Sequence, residues 1–281
     1  MIHWKGLFRL MRFHKPVGIV LLWIPTAWAL WIANHGAPSW SLFVLFFMGT
    51  ILMRALGCVV NDFADRHLDK HVKRTSNRPL ASGEISVVEA FMCASVLSIS
   101  ALWVVLQLPL NCFYYAIVAL AVTVLYPFCK RFFVAPQLVL GLAFSMGIPM
   151  AYAASQAPFT LEMGLLFILN VAWIVAYDTM YAMADRAEDR LIGIKSTAIL
   201  WGRHDRVIIA GLQVFFSGSW LILGGMMHAS MAFYGCWMAG IVVVLYQQRL
   251  IQNRVPAACL KAFSSNMVYG LWMWLGLIVV T

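Results

Sequence analysis

Residues 40–60 read WSLFVLFFMGTILMRALGCVV and run straight into residues 61–69, NDFADRHLD. The first part carries a single charge, Arg54, and matches the roughly 20 apolar residues that a helix needs to cross the hydrocarbon of a bilayer. The second part crowds Asp62, Asp65 and Asp69 together with Asn61. An apolar span that ends in carboxylates fixes the fold class and also says where chemistry is to be sought.

Working outward, the rest of the chain repeats the apolar half of this pattern. Of its 281 residues, 63% are hydrophobic and 11% charged, whereas a soluble domain carries about a quarter charged. A soluble fold of this length has too little core to hide so much apolar surface, so lipid must cover the remainder. Nine stretches qualify as spans: 17–34, 40–60, 87–108, 112–128, 138–154, 165–184, 207–227, 231–246 and 263–280. They are too long and too continuous for the alternating strands of a membrane barrel. The expectation is an all-α, polytopic membrane protein with nine transmembrane helices. No Pro/Gly/Ser-rich linker or low-complexity tract divides it, so residues 1–281 read as a single domain.

Charge supplies the orientation. Lys5, Arg9, Arg12 and Lys15 precede the first span; Arg66, Lys70, Lys73, Arg74 and Arg78 follow the second. Lys130 and Arg131 follow the fourth, Arg186, Arg190, Lys195, Arg203 and Arg206 the sixth, and Arg249, Arg254 and Lys261 the eighth. The opposite connections, 35–39, 109–111, 155–162 and 228–230, contain no Lys or Arg. The positive-inside rule then places the N-terminus in the cytoplasm and the C-terminus outside. The net charge of +9 thus reports topology and anionic lipid, and argues against nucleic acid as a partner. The N-terminal charges before an apolar run imitate a signal peptide, but no small-residue cleavage site follows and further spans do. The six cysteines are scattered, with no Cys-x-x-Cys or zinc spacing, and read as small buried hydrophobes.

Acidic residues are few and clustered. Besides 61–69, a second group lies in 178–189, DTMYAMADRAED, where Asp178, Tyr181, Asp185 and Asp189 share a helix face. Continued as helix, the first group puts Asn61, Asp65 and Asp69 four residues apart on one face. Both groups sit at the basic end of a span, and each is followed by a basic, Ser/Thr-containing stretch, 73–83 and 193–197, as in a diverged duplication. Like charges at this spacing repel, and more so where the effective dielectric falls. A cation between the stripes would relieve that repulsion. Oxygen-only ligands favour hard ions such as Mg²⁺, which keeps waters and binds through a few carboxylates plus substrate phosphates. The stripes therefore imply a metal-bridged phosphate ligand. A third element, 126–131 (YPFCKR), ends another span at the same side. Its Lys130 and Arg131 read as candidates for neutralising a diphosphate.

At these residues the sequence resembles the UbiA-type membrane prenyltransferases. The pattern Asn-Asp-x-x-Asp-x-x-x-Asp matches Asn61, Asp62, Asp65 and Asp69; the second family motif matches Asp185 and Asp189, with Asp178 upstream. The family's Tyr-x-x-x-Lys element matches Tyr126 and Lys130, followed by Arg131. Residues 57–83 and 177–202, Lys15-Pro16-Val17-Gly18 and the stretch 246–250 are similar to the bacterial subgroup that prenylates 4-hydroxybenzoate in ubiquinone synthesis. Glu188, beside Asp189, stands where relatives carry Asp.

The resemblance implies nine helices around a central cavity with both acidic motifs at its cytoplasmic mouth, in the bacterial inner membrane. It implies a polyprenyl diphosphate and 4-hydroxybenzoate as substrates. Two Mg²⁺ would be held by Asn61, Asp65, Asp69, Asp185 and Asp189, and the diphosphate by Lys130, Arg131, Arg66 and Tyr126. The four aspartates and Arg131 would then be the catalytic set. Charge accounting agrees: two Mg²⁺ with Lys130 and Arg131 offset most of the charge of four carboxylates and a diphosphate. The prenyl carbocation would need shielding from water by aromatic and Met side chains. The acceptor carboxylate would need a positively charged partner, for which Arg54, inside the second span, and Arg12 are the candidates. Three other readings compete: a prenyltransferase for another aromatic acceptor; a cation-coupled transporter, since acids in spans often mark ion paths; and, third, a non-catalytic lipid-binding scaffold. Transporter sites lie near the midplane, whereas these acids gather at one face.

Overall fold

The computed structural model describes residues 3–71 and 75–279. Lys73 and Arg74 of the first basic stretch, and Val280 of the last expected span, lie outside them. Among the described residues there is helix and no strand. The elements are α1 (Trp4–Leu10), α2 (Val17–Ala33), α3 (Trp40–Asp65), α4 (Pro79–Ser82), α5 (Val87–Leu106), α6 (Leu110–Phe132) and α7 (Pro136–Ser145). They continue as α8 (Gly147–Ala154), α9 (Leu161–Leu191), α10 (Thr197–Trp201), α11 (Asp205–Met226), α12 (Met231–Leu250) and α13 (Pro256–Ile278). Within the described residues all nine apolar stretches are helical over most of their length, and the chain is a polytopic all-α membrane protein. By length and apolarity, 7 spans stand out: α3, α5, α6, α7 with α8, α9, α10 with α11, and α12. Helix α2 is apolar but has only 17 residues, and α13 is not among the seven.

Local sequence sets the boundaries. Ser39, Thr160 and Ser196 accept from backbone N–H groups two or three residues into α3, α9 and α10, which satisfies donors that a helix start leaves orphaned. Ser86 and Glu89 form a reciprocal capping box at α5. The span expected over 138–154 is broken between α7 and α8. Pro149 has no N–H to give Ser145, four residues back, and its ring crowds that carbonyl. The break falls where α8 meets α2. A Cβ on Gly147 would lie 2.1 Å from Thr26 Oγ1, so only glycine permits this approach.

Helix α9 is the centre of the bundle, packed by α7, α11 and α13. Its most apolar window is 61% buried, against 17% for α5 and for α6; α5 and α6 turn Phe91, Ile99 and Tyr114 outward, as lipid-facing helices do. The core is aromatic: Trp28 packs on Trp173 and Trp220 with ring centroids 5.0 and 4.9 Å apart. Trp173 also donates its indole N–H to Asn266 Oδ1 at 2.9 Å, since a buried indole needs an acceptor. A second apolar cluster joins α1, α3, α4 and α5 through Leu10, Leu56, Val59, Leu80 and Ile85. It fixes the segment 75–83 against the end of α3.

Candidate active site

The C-terminal ends of α3, α6 and α9 converge with the N-terminal ends of α2 and α7 around one cavity of about 830 Å³. Asn61, Asp62, Asp65 and Asp69 line it from one side, Asp178, Asp185 and Asp189 from the other. The acidic motifs that the sequence separates by more than a hundred residues thus share one space. Deeper lining includes Leu21, Leu140, Phe144 and Phe263, so the cavity passes from a charged mouth to an apolar interior.

The first motif is not one helical stripe. Helix α3 ends at Asp65, and Asp69 starts a short 3-10 turn, Asp69–His71. Asp69 reaches the cavity because the segment after it folds back: Thr75 donates to the Asp69 carbonyl at 3.2 Å, and Arg78 to Asp69 Oδ2 at 2.8 Å. Nor does the crowding of carboxylates depend on a metal for relief. Asp62, buried, pairs with Arg12 at 2.5 Å and Arg78 at 3.3 Å. Lys130 donates to Asn61 Oδ1 at 2.9 Å and lies 3.5 Å from Asp65. Burial pushes the Asp69 carboxyl above its ordinary pKa, against the pull of Arg78. The mouth carries many basic groups beside these carboxylates. His14, on its rim, has its imidazole held below the ordinary value by burial and by Lys15, Arg9 and Arg12.

The second motif rides on unbroken helix, as expected, because α9 runs through to Leu191. Its last turns are anchored from behind. Arg186 pairs with the fully buried Asp205 at the start of α11. Arg254, in the turn after α12, donates to the same carboxylate from NH2 at 2.8 Å and Nε at 3.1 Å. Past Asp189, Ile194 N–H closes on the Asp189 carbonyl and Lys195 N–H on that of Lys130, each at 2.9 Å. The ends of α6 and α9 are thereby joined.

The basic candidates divide. Lys130 lines the cavity, its ammonium 5.1 Å from the ring centroid of Tyr126, which lines it too. Arg54 lines the same cavity further in. Arg131 and Arg66 do not. They line a neighbouring hollow of about 450 Å³ with Phe63, Phe128 and Ile194. Arg131 donates to the Ala64 carbonyl at 2.6 Å, and Arg66 folds back on the Phe63 carbonyl at 2.8 Å. The departure from expectation has a local cause: one step along a helix turns the side chain by about 100°, and the Ala64 carbonyl holds the Arg131 guanidinium outside the cavity. Conversely, Arg78 had appeared only as part of a basic loop, and Arg12 only as a candidate for the acceptor. Both are counter-ions to the first motif, a role set by contacts 50 residues apart for Arg12 and Asp62 that no local pattern encodes.

Among the described residues, no three His, Cys, Asp or Glu side chains stand close enough to hold a metal by themselves. The donor set nevertheless fits Mg²⁺ arriving with a phosphate. It consists of hard oxygens from two facing helices, beside cations, and Mg²⁺ takes much of its shell from phosphate and water. Around the cavity the carboxylates Asp62, Asp65, Asp69, Asp178, Asp185, Glu188 and Asp189 are matched in number by Arg9, Arg12, Lys15, Arg54, Arg78, Lys130 and Lys195. Divalent ions alone would leave this space positive, and a diphosphate alone would leave it negative. The two together nearly cancel.

Fold and site define a helical integral membrane protein whose basic end closes around a cavity of hard oxygen ligands and cations. The chain belongs to the UbiA prenyltransferase family, whose model matches residues 22–276. It is 53% identical to a 4-hydroxybenzoate octaprenyltransferase of Legionella pneumophila, over 98% of this chain and 97% of that one. It is 49% identical to the protein of the same name from Coxiella burnetii, over 96% and 94%. The fold matches an apo UbiA homolog from Aeropyrum pernix with a TM-score of 0.81 at 19% identity, covering 92% of this chain and 97% of that one. It also matches an Archaeoglobus fulgidus homolog bound to GPP and Mg²⁺, with a TM-score of 0.74 at 19% identity, covering 98% and 100%.

Proposed function

We propose that this protein transfers a polyprenyl group from a polyprenyl diphosphate to 4-hydroxybenzoate, at the ring carbon ortho to the hydroxyl, in ubiquinone synthesis. The observation that carries the reading is the meeting of both acidic motifs in one cavity, with Arg54 deeper inside. The names of relatives about half identical over nearly the whole chain support the acceptor.

Asn61, Asp65 and Asp69 on one side, and Asp185 and Asp189 on the other, would hold two Mg²⁺. When bound, these supply Lewis acidity to the leaving diphosphate. Lys130 is the cavity's basic group for the diphosphate, and Tyr126 supports its ammonium. Arg78 stands beside it on Asp69 and would be free to turn to a phosphate oxygen if that carboxylate held metal, while Arg12 neutralises Asp62. Arg131 serves the first motif from outside, by holding the Ala64 carbonyl next to Asp65; Arg66 flanks it. The prenyl chain lies along the apolar lining. Tyr126, Tyr177, Tyr181 and Phe263 line the space where positive charge develops, and aromatic faces stabilise a cation while keeping water out. Arg54 receives the acceptor carboxylate, which leaves the electron-rich ring free to attack: the ring carbon bonds to the prenyl carbon, the C–O bond to diphosphate breaks, and the displaced ring proton passes to the departing diphosphate.

Residues 1–281 act as one domain with nine spans in the bacterial inner membrane. The N-terminus and the cavity mouth are cytoplasmic and the C-terminus periplasmic. A competition assay tests the acceptor. Membranes carrying the protein are given labelled polyprenyl diphosphate with equal 4-hydroxybenzoate, homogentisate and a hydroxynaphthoate. Label should enter 4-hydroxybenzoate; label in either of the others instead would reassign the enzyme within its family.

A further inference from the structure

The stretch Lys15-Pro16-Val17-Gly18 has no part in the chemistry described so far. Pro16 caps α2 and Val17 begins it, so Gly18 is the second helical residue. A glycine there is unfavourable for the helix, and its backbone is ordinary: it is not among the residues with positive φ. Conformational freedom does not explain it. Space does. Gly18 is buried, and a Cβ built on it would lie 2.3 Å from NH2, 2.5 Å from Nε and 2.6 Å from Cζ of Arg54. The Arg54 guanidinium lies flat against the bare backbone of α2.

Arg54 is unusual in a second respect. It sits within α3, well inside the apolar span, yet among the described residues no hydrogen bond or ion pair engages it. The other cavity arginines differ: Arg12 and Arg78 each hold a carboxylate. The half-buried guanidinium opens onto the cavity, where Asp178 lies within reach of its charge, and charged groups inside spans mark functional sites. Its planar donors match a carboxylate through two parallel bonds, but only in one orientation.

We infer that Gly18 is a positioning residue for acceptor recognition: its missing side chain seats the Arg54 guanidinium where it meets the carboxylate of the aromatic acceptor. The inference rests on the reading of Arg54 given above. A methyl group at Gly18 meets only the far end of a flexible side chain. The arginine must therefore swing away by about 1 Å to regain ordinary contact, while the helices stay in place. Misplacing a binding group by that much can cost up to about a hundredfold. The cost should fall on the acceptor alone, because the diphosphate ligands lie on other residues.

The test is a double-mutant cycle on the full-length protein in lipid, with steady-state kinetics for each substrate. Gly18→Ala should raise the KM for 4-hydroxybenzoate by roughly tenfold or more, with the KM for polyprenyl diphosphate within twofold of wild type. Gly211→Ala, where a Cβ meets nothing within 4 Å, controls for adding a methyl to a helix. Arg54→Ala removes all the atoms that clash, whereas lysine would still place Cε and Nζ near the Nε and Cζ positions. Adding Gly18→Ala to Arg54→Ala should therefore change acceptor affinity by less than about twofold. The same comparison made by equilibrium binding of labelled 4-hydroxybenzoate covers any variant too slow to assay. An equal effect of Gly18→Ala in both backgrounds, or none with Arg54 intact, overturns the inference. An acceptor KM unmoved by Arg54→Lys and Arg54→Ala instead overturns the assignment of Arg54 itself.

Discussion

Asp205 is the buried joint that holds the second acidic motif to the rest of the bundle, and Asp205→Asn should expose that. The carboxylate has 0% side-chain exposure and faces Arg186 at 16% and Arg254 at 35%. Neutralising it leaves two guanidiniums facing an amide. Removing one partner of a buried ion pair costs about 3–5 kcal/mol. Arg254 can recover some hydration, and asparagine keeps one acceptor oxygen, so a loss of about 2–3 kcal/mol is expected. At roughly 3 °C per kcal/mol for a chain of this size, the melting temperature should fall by about 6–9 °C. The assay is thermal challenge in detergent followed by size-exclusion chromatography. The reference is Glu84→Gln, which breaks an exposed pair with Arg9 at 46% and 30% exposure and should move the midpoint by no more than about 1–2 °C. Equal shifts for the two variants, or an Asp205→Asn protein as stable as wild type, would refute the idea that this joint bears on stability.

Other perturbations address the site and the topology. Alanine at Asp65, Asp69, Asp185 or Asp189 should lower turnover on the order of a hundredfold or more with the protein still folded and inserted; near-normal rates at ordinary Mg²⁺ would remove that residue from the metal site. Lys130→Ala should slow the reaction by roughly tenfold or more, since charge-assisted bonds contribute about 1.5–3 kcal/mol, whereas Arg131→Lys should cost about threefold or less because a lysine can still donate to the Ala64 carbonyl. The reverse order in polyprenyl diphosphate kinetics would put Arg131 on the diphosphate. A reporter fused after Thr281 should read as periplasmic and one inserted near Gly83 as cytoplasmic; two reporters on the same side would mean an odd number of the proposed spans does not cross.

What was legible in the sequence follows from what is local. Apolar runs and their basic ends gave every long helix, and the spacing of Asp178, Asp185 and Asp189 gave a true helical face, because α9 continues through them. The face drawn through Asn61, Asp65 and Asp69 was only half right. The chain leaves helix at Arg66, and Asp69 returns to the cavity through Arg78 and Thr75. Contacts distant in the chain were illegible: the repulsion in 61–69 pointed to a metal, but Arg12, Arg78 and Lys130 already answer it. The outward placement of Arg131 was not legible in the spacing, because the adjacent Glu188 and Asp189 both face the cavity and Arg131 is kept out by its bond to the Ala64 carbonyl. The break before Gly147 could have been read from Pro149, and the role of Gly18 could not, because it depends on where Arg54 lies in space.

In the proposed mechanism the two acidic motifs act together in one cavity on a metal-bound prenyl diphosphate. The most direct measurement is transfer by purified protein in lipid nanodiscs, with labelled polyprenyl diphosphate, 4-hydroxybenzoate and Mg²⁺ titrated against EDTA. Wild type should give a product prenylated ortho to the hydroxyl only while Mg²⁺ is free. Asp65→Ala and Asp185→Ala, one from each motif, should each give almost none. Product formed at the wild-type rate by either variant, or undiminished in excess EDTA, would contradict the claim.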